Sequence, residues 1–310
     1  MRNIRIIEPG PLATVQDRGR FGRRSFGVPR SGAMDSQALR VGNLLVGNDD
    51  GAASIECTLG GLALEFQFQG YFALTGALRL SRLNGAPVEM WQARPVKEGD
   101  VLRVASGGTG LRTYLSVSGG FDVPPVMDSR STYLRGGFGG LDGRALRPGD
   151  SLPVGMPVGT ARTAPAPLAL IPPYSPEPVL RVIPGPQDDR VSLGGRAIFF
   201  SRQYEVTPKT DRMGISLLGA PLELPYGADI ISDGTCPGAV QVHGNGQPTI
   251  LGMDCQTTGG YLKIAVVISS DLPLAAQAAP GDRVRFEEVS LWEARESYMK
   301  KEFLIRNLRR

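Results

Sequence analysis

The chain has 310 residues, of which 41% are hydrophobic and 21% charged, and its formal net charge is +4 at pH 7. This composition excludes an intrinsically disordered chain and is typical of a globular protein long enough for two domains. Acidic and basic residues are interspersed, so the mild positive charge does not predict a nucleic-acid-binding protein.

Short apolar or alternating runs bounded by Gly, Pro and Asp recur along the chain, and they predict a mainly β protein. One early segment differs. Met34, Ala38, Val41 and Leu45 follow three- and four-residue spacing, which predicts a short helix beginning near Asp35.

Prolines are concentrated between residues 153 and 186, and such a segment forms a stiff connector in which central strands are disfavoured. We therefore expect a first β subdomain over 1–165, a Pro-rich linker over 166–180 and a second subdomain over 181–290. The last segment, 291–310, has apolar residues at helical spacing and predicts an amphipathic helix. That helix either packs on its own domain or binds a partner.

The two halves of the chain share a sequence pattern. Pro29-x-Ser31-x-x-Met34 in the first half matches Pro208-x-Thr210-x-x-Met213 in the second. Three more pairs follow in the same order at nearly constant offset: Pro9-Gly10 with Pro184-Gly185, Gly61 with Gly238, and Asp100 with Asp282. This indicates an internal duplication of one β domain. We expect the two P-x-[ST]-x-x-M loops to face a cleft between the halves, because small-molecule sites favour such clefts.

Cysteine spacing and hydropathy exclude several classes of protein. Cys57, Cys236 and Cys255 lie far apart and form no CxxC pair, so neither a metal site nor a disulfide framework is predicted. The N-terminus lacks a signal-like apolar run, and no stretch approaches the roughly 20 apolar residues of a membrane helix. We expect a soluble cytoplasmic protein with reduced thiols and no membrane partner.

Familiar catalytic motifs are missing from the sequence. His243 has no assigned partner for general-base chemistry, and Ser31 is not in the G-x-S-x-G context of a nucleophile elbow. The glycine-rich RGGFGGLDG segment lacks the residues of a phosphate-binding loop. Cys255 has no activating neighbour in the sequence, which predicts an inert thiol.

Polar residues on Gly- and Pro-rich turns are the better candidates for a site. Arg130, Arg135 and Arg212 either hold a carboxylate or phosphate, or form ion pairs that fix loop geometry. Gln247, Gln256 and Thr257 either bind an amide, ureido or carboxylate group, or satisfy the backbone of their own turns. The residues alone leave these alternatives open.

Many ordered motifs between residues 4 and 290 resemble the carboxyltransferase-type family of allophanate hydrolase subunit 2. That family includes the C subunit of 5-oxoprolinase (KipA-like proteins) and the carboxyltransferase region of urea carboxylase. The motifs that carry the resemblance are GPLATVQDRGRFG, FGVPRSGAMD, SVSGGFDVPPVMDSRST, LRGGFGGLDGRALRPGD, PKTDRMG and GAVQVHGNGQPTILGMDCQTTGGY. Two positions depart from the family pattern: His243 stands where Pro is usual, and Cys255 where Arg is usual.

The resemblance implies two tandem cyclophilin-like β-barrel subdomains, which agrees with the duplication. It also implies a subunit-1-type (KipI-like) paralogous partner and a LamB/YcsF-type subunit. By the same resemblance, these two and a subunit like this chain would form a complex that opens 5-oxo-L-proline to L-glutamate at the expense of ATP. No lysine lies in an Ala-Met-Lys-Met context and no nucleotide loop is present. We therefore expect no covalent biotin on this chain, and ATP used by the complex at a site not visible in this chain.

The expected function is a hydrolase subunit of the 5-oxoprolinase type, active only with partner subunits on a small-molecule substrate. One alternative is carboxyl transfer from carboxybiotin to urea or a similar acceptor; another is a regulatory binding protein that antagonises a kinase-inhibitor homologue. The residues expected to serve catalysis are Asp35, Arg212 and Gln256. Those expected to bind substrate are Gln16, Arg20, Ser31, Lys209, Asp211, Gln247 and Thr257.

Overall fold

The computed structural model describes residues 2–308 and divides the chain into two compact units. Unit 1 contains the chain up to residue 21, residues 31–172 and the end of the chain from residue 304. Unit 2 contains Pro173–Phe303 together with Gly22–Arg30 from the N-terminal part of the chain. A short stretch of the first half of the sequence therefore belongs to the second unit.

Unit 1 is built from two antiparallel sheets. The first has the strand order β11-β1-β4-β9-β6-β7 and the second the order β2-β3-β10-β5-β8. Their bounds are β1 Asn3–Pro9, β2 Leu12–Gln16, β3 Ser54–Thr58, β4 Leu62–Gln67, β5 Gly70–Gly76, β6 Ser81–Leu83, β7 Ala86–Val88, β8 Ala93–Val96, β9 Val101–Val104, β10 Arg112–Val117 and β11 Ser151–Pro153.

The apolar core of unit 1 is made of the alternate side chains of these strands, among them Ile6, Phe66, Phe72 and Leu115. The helix α1 (Ser36–Leu45) belongs to this unit and packs on β5 and β10. The helix begins where the sequence predicts, because the Asp35 carboxylate accepts a hydrogen bond from the Ala38 amide at 2.9 Å. Such a cap satisfies one of the amides that the first helical turn leaves without a partner.

Unit 2 contains a closed seven-stranded barrel with the order β12-β19-β16-β17-β14-β13-β20, and a two-stranded sheet, β15-β18. All neighbours in the barrel are antiparallel except β12 and β20, which are parallel. The bounds are β12 Val179–Pro184, β13 Tyr204–Val206, β14 Gly214–Leu218, β15 Asp229–Gly234, β16 Ala239–Val242, β17 Pro248–Leu251, β18 Thr258–Tyr261, β19 Lys263–Val267 and β20 Arg283–Glu288.

Three further helices are α2 (Leu193–Ser201), α3 (Leu272–Gln277) and α4 (Leu291–Leu308). The sequence pattern does not reveal α2, since Gly194 and Gly195 weaken its helical propensity. Tertiary packing stabilises it, with the Phe199 ring stacked on Phe286 at a centroid distance of 4.4 Å. The predicted C-terminal helix is confirmed as α4, in which Ile305 and Leu308 are buried.

The mainly β fold class is confirmed, and parts of the duplication are visible as shared turn chemistry. Asp100 accepts a hydrogen bond from the Lys97 amide, and Asp282 accepts one from the Ala279 amide, at 2.9 and 2.8 Å. Each aspartate therefore closes the turn before a strand, β9 in unit 1 and β20 in unit 2.

The P-x-[ST]-x-x-M pair has diverged between the two copies. Met34 is followed by the cap of α1, whereas Met213 is followed directly by strand β14. Pro29 belongs to unit 2 and Ser31 to unit 1. The motif is thus shared in sequence while the structure that follows it differs.

Near the centre of the chain, a 3-10 turn forms over Leu168–Leu170, and β12 starts at Val179.

Within residues 2–308, no helix is both long and apolar enough to cross a membrane.

Candidate functional site

Asp17 organises a loop cluster in unit 1. One of its carboxylate oxygens accepts a hydrogen bond from the Ser129 hydroxyl at 2.7 Å, and the other accepts from the Arg130 amide at 2.6 Å. The Ser131 hydroxyl also donates to Asp17. A carboxylate that accepts several charge-assisted hydrogen bonds holds its partners firmly. Asp17 therefore attaches the DSRST loop to the end of β2.

Two predicted residues flank this loop. Gln16 is fully buried, and its amide nitrogen donates to the Thr14 hydroxyl at 3.0 Å and to the Thr132 carbonyl at 3.2 Å. Arg20 is also buried; its guanidinium donates to the Val126 and Ser131 carbonyls and lies 4.8 Å from the Phe138 ring centroid. The structure thus brings Gln16 and Arg20 together around one loop, where both bind backbone carbonyls.

A second polar cluster in unit 1 lies at the start of α1. The Glu56 carboxylate accepts from the Met34 amide at 2.9 Å and from the Tyr114 hydroxyl at 2.6 Å, and that hydroxyl in turn accepts from the Asp35 amide at 2.8 Å. Arg112 lies opposite, with its Nε atom 3.8 Å from a Glu56 oxygen. Burial, followed by the neighbouring Glu56 and Asp35 carboxylates, raises the pKa of Tyr114 well above its ordinary value.

Ser31 precedes Met34 and Asp35 of this cluster in the sequence, and it is fully buried. Its φ angle of 52° is in the left-handed region that non-glycine residues seldom adopt. The next residue, Gly32, packs so closely on the Arg18–Gly19 backbone that a Cβ atom there would lie 2.8 Å from the Gly19 nitrogen. A tight backbone turn therefore positions Ser31.

Among the other arginines weighed in the sequence, Arg130 forms an ion pair with Asp122 at 2.8 Å, and Arg135 is exposed. In unit 2, Arg212 pairs with Asp254 through two contacts, Nε–Oδ2 at 2.9 Å and Nη2–Oδ1 at 3.2 Å. Both side chains of this pair are buried. The Asp254 amide also donates to the Arg212 carbonyl at 3.0 Å.

Lys209 and Asp211, on the same turn as Arg212, are exposed. Asp211 accepts hydrogen bonds from the Met213 and Gly214 amides at 2.7 and 3.2 Å. This is the turn-stabilising pattern that aspartate side chains form with amides two and three residues ahead.

Gln247 uses both ends of its amide on one backbone residue. Its oxygen accepts from the Gly219 amide at 2.8 Å and its nitrogen donates to the Gly219 carbonyl at 3.0 Å. This reciprocal pair fixes the turn before β17 to the end of β14.

The Gln256–Thr257 segment meets a residue that is distant in the sequence. The Arg24 guanidinium donates to the Gln256 carbonyl at 3.2 Å and to the Thr235 carbonyl at 2.8 Å. Thr235 is joined to the same segment, because its amide donates to the Thr257 carbonyl at 3.1 Å. The side-chain amide of Gln256 donates to the Gln241 amide oxygen at 3.3 Å.

At the two positions that depart from the family pattern, His243 and Cys255, the side chains are at least partly buried. His243 Nε2 lies 2.9 Å from the Thr249 hydroxyl, and burial lowers the pKa of the imidazole. Cys255 is fully buried, and burial raises the pKa of its thiol against the opposing effect of Arg24. A raised thiol pKa agrees with the inert role predicted for Cys255.

Sequence reasoning missed several residues that organise these clusters: Asp17, Glu56, Tyr114, Asp254 and Arg24. A signal existed for Glu56, since one acidic residue in the otherwise uncharged strand SIECT must be paired when buried. Tyr114 and Arg24 gave no comparable signal.

Three surface depressions of about 370, 540 and 610 Å³ lie in unit 1, and among the described residues their linings include none of the predicted site residues. The described part of the chain contains no group of three or more His, Cys, Asp or Glu side chains that could hold a metal ion.

The sequence of the chain matches a known protein family. Residues 26–288 match the model described as carboxyltransferase domain, subdomain A and B. The chain is 41% identical over 291 residues to the C subunit of 5-oxoprolinase from Escherichia coli, covering 94% of this chain and 93% of that protein. It is 38% identical to the same subunit from Haemophilus influenzae, covering 99% of this chain and 98% of that protein.

Among solved structures, the chain is similar to the urea carboxylase of Kluyveromyces lactis, with a TM-score of 0.94 and 31% identity. The match covers 99% of this chain and 29% of that structure's chain. The chain therefore spans less than a third of the urea carboxylase, although nearly all of its own fold is found there.

Proposed function

The chain belongs to the family of carboxyltransferase domains with subdomains A and B, and on that premise we propose that it is a subunit of an ATP-dependent 5-oxoprolinase. The observation that carries the proposal is its similarity to two 5-oxoprolinase subunits, at 41% and 38% identity. Both matches cover more than nine-tenths of each chain. The chain and these relatives therefore agree along nearly their whole lengths, and not in one motif alone.

The proposed reaction opens the lactam ring of 5-oxo-L-proline. The amide C–N bond breaks, one water adds to the carbonyl carbon, and the ring nitrogen becomes the amino group of L-glutamate. Hydrolysis of ATP drives this step because an amide is a stable acyl compound. We assign ATP binding to the assembled cytoplasmic complex, which also contains a KipI-like partner and a LamB/YcsF-type subunit.

Within this proposal the polar turns of the chain bind and orient the lactam. Amide groups such as that of Gln256 match it chemically, since a carboxamide offers one donor and one acceptor group to the ring N–H and C=O. Oriented donors also stabilise negative charge on the carbonyl oxygen as water attacks. Arg212 acts as a positioning residue, because its ion pair with Asp254 joins the turn before β14 to the Gln256 segment.

Carboxyl transfer is the second candidate function, and the similarity to urea carboxylase favours it. The TM-score of 0.94 over 99% of the chain shows that the two folds agree closely. In that reaction the same amide groups would face the ureido ring of carboxybiotin held by another protein. The lower identity, 31% against 41%, places this function second.

The test is formation of L-glutamate from 5-oxo-L-proline and ATP by the chain co-purified with its two proposed partners. We expect glutamate and ADP in equal amounts, and no glutamate when this chain is omitted. An assembled three-protein complex that forms no glutamate would contradict the proposal. Carboxybiotin decarboxylation stimulated by urea in the same preparation would then support carboxyl transfer.

A further inference from the structure

Two cationic side chains of unit 2 meet at one short segment, residues 233–236. The Arg24 guanidinium donates to the Thr235 carbonyl at 2.8 Å. The Lys263 ammonium lies 3.1 Å from an Asp233 carboxylate oxygen. The two cations therefore contact residues that are only two positions apart in the sequence.

The Lys263 ion pair is unequal in its exposure to solvent. The Lys263 side chain is 4% exposed, whereas that of Asp233 is 57% exposed and belongs to the largely exposed strand β15. Burial of an ammonium is costly unless a carboxylate compensates it. The buried lysine therefore needs an anion beside it, whereas the Asp233 carboxylate, which also accepts from the Gly234 amide at 2.6 Å, lies at the solvent surface.

Two glutamine residues, Gln241 and Gln256, add carboxamide groups to this part of unit 2. Gln241 lies directly opposite Lys263 in the β16–β19 ladder, and its oxygen accepts from the Gln256 amide at 3.3 Å. Gly259 adjoins both: a Cβ there would lie 2.7 Å from the Gln241 amide nitrogen and 3.3 Å from that of Gln256. A side chain at this position of β18 would therefore press on both amides.

An accessible thiol adjoins the two cations. Cys236 is exposed, whereas Cys57 and Cys255 are buried. Although the residue is exposed, partial burial of its sulfur raises the pKa of Cys236, and the charges of Arg24 and Lys263 oppose that effect. Cys236 also directly follows Thr235, whose carbonyl accepts the hydrogen bond from Arg24.

We propose that Arg24 and Lys263 bind the carboxylate of a small substrate in unit 2, with Gln241 and Gln256 beside it to contact a lactam. The identity of the ligand, 5-oxo-L-proline, rests on the function proposed above. The incoming carboxylate replaces Asp233 at the Lys263 ammonium, so one carboxylate exchanges for another and the buried charge stays compensated. The carboxamides then complement the lactam N–H and C=O groups.

Cys236 offers a readout that does not depend on turnover. N-ethylmaleimide is uncharged and is expected to alkylate Cys236 in preference to the two buried thiols. We expect saturating 5-oxo-L-proline to slow this reaction at least fivefold, in the full chain or in its complex. 2-Pyrrolidinone, which has the same ring without the carboxylate, is expected to leave the rate unchanged.

Substitutions distinguish the effect of the two positive charges from the effect of the shape of the site. Lys263→Met and Arg24→Met should each abolish the protection, and Gly259→Ala should weaken it by pushing on the two amides while both cations remain. Lys97→Met, at an exposed lysine of unit 1, is the matched control and should keep full protection. Circular dichroism and thermal unfolding identify any variant that fails to fold, and Gly259→Ala then serves as the independent test.

The outcomes distinguish this inference from the proposed function. If the complex makes glutamate but 5-oxo-L-proline protects Cys236 in neither the chain nor the complex, the carboxylate site is wrong and the function stands. If 5-oxo-L-proline protects Cys236 but an assembled complex makes no glutamate, the site stands and the function falls. Equal protection by 2-pyrrolidinone would also overturn the inference, because the carboxylate would then contribute nothing.

Discussion

Arg212 and Asp254 form a buried, two-contact ion pair that joins the turn before β14 to the segment after β17, with heavy-atom distances of 2.9 and 3.2 Å. The pair connects two separate motifs of the family pattern, PKTDRMG and GAVQVHGNGQPTILGMDCQTTGGY. Removal of one partner leaves the other charge buried without compensation.

We predict that Arg212→Ala destabilises the chain by about 3–5 kcal/mol, the range typical of a broken buried ion pair. Denaturant unfolding of the purified chain measures the change. The double variant Arg212→Met/Asp254→Leu should recover much of the loss, since it removes both charges and keeps apolar volume. If Arg212→Ala unfolds like the wild type, the ion pair is not structural.

Asp35 combines a helix cap with a proposed role in chemistry, and two substitutions separate these. Asp35→Ala should cost about 1 kcal/mol, because the Ala38 amide loses its acceptor. Asp35→Asn retains an acceptor oxygen and should keep most of the stability. With a role for the carboxylate in catalysis, Asp35→Asn should reduce glutamate formation at least tenfold. Wild-type turnover by a folded Asp35→Asn complex would remove Asp35 from the chemistry.

Asp150 should confer a pH-dependent stability on unit 1. Its carboxylate receives two hydrogen bonds from Arg144, at 2.7 and 2.9 Å, and these hold its pKa below the ordinary value. A carboxylate with a lowered pKa in the folded state stabilises the fold fully above the unfolded-state pKa, about 3.9. That contribution is lost as the pH falls through the lower, folded-state pKa.

The free energy of unfolding, measured from pH 6 down to pH 2 for wild type and Asp150→Asn, checks this. The wild type should be the more stable protein at pH 6, and the two curves should converge toward pH 2. Parallel curves over the whole range would show that Asp150 titrates alike in the folded and unfolded chains.

Gly185 should be intolerant of even one added carbon. A Cβ there would lie 2.1 Å from the Lys263 carbonyl oxygen, which is backbone and cannot move aside without shifting β19. We predict that Gly185→Ala costs about 1–3 kcal/mol through overpacking. Gly244→Ala is the matched control, since a Cβ there meets nothing within 4 Å. Thermal unfolding of both variants should show a lower Tm for Gly185→Ala alone.

The mainly β class, α1 and the C-terminal helix could be predicted because they depend on local patterns. These elements depend on the alternation of apolar and polar residues, on turn residues and on the Asp35 cap. Each of these acts within a few residues, so the sequence alone can reveal it. The helix α2 could not be predicted in this way. Its two glycines oppose helix formation, and the stacking of Phe199 on Phe286 overrides that propensity from far along the chain.

The same distinction between local pattern and tertiary contact applies to the candidate sites. The sequence by itself determined the family motifs, the duplicated turns and the stretches rich in Arg, Gln and Asp, because residue type and spacing are enough for these. Only the tertiary structure decided which groups meet: Glu56 with Tyr114, Arg212 with Asp254, and Arg24 with the segment that contains Thr235. Buried polar groups must find partners, and strand pairing selects those partners from residues that no local pattern connects.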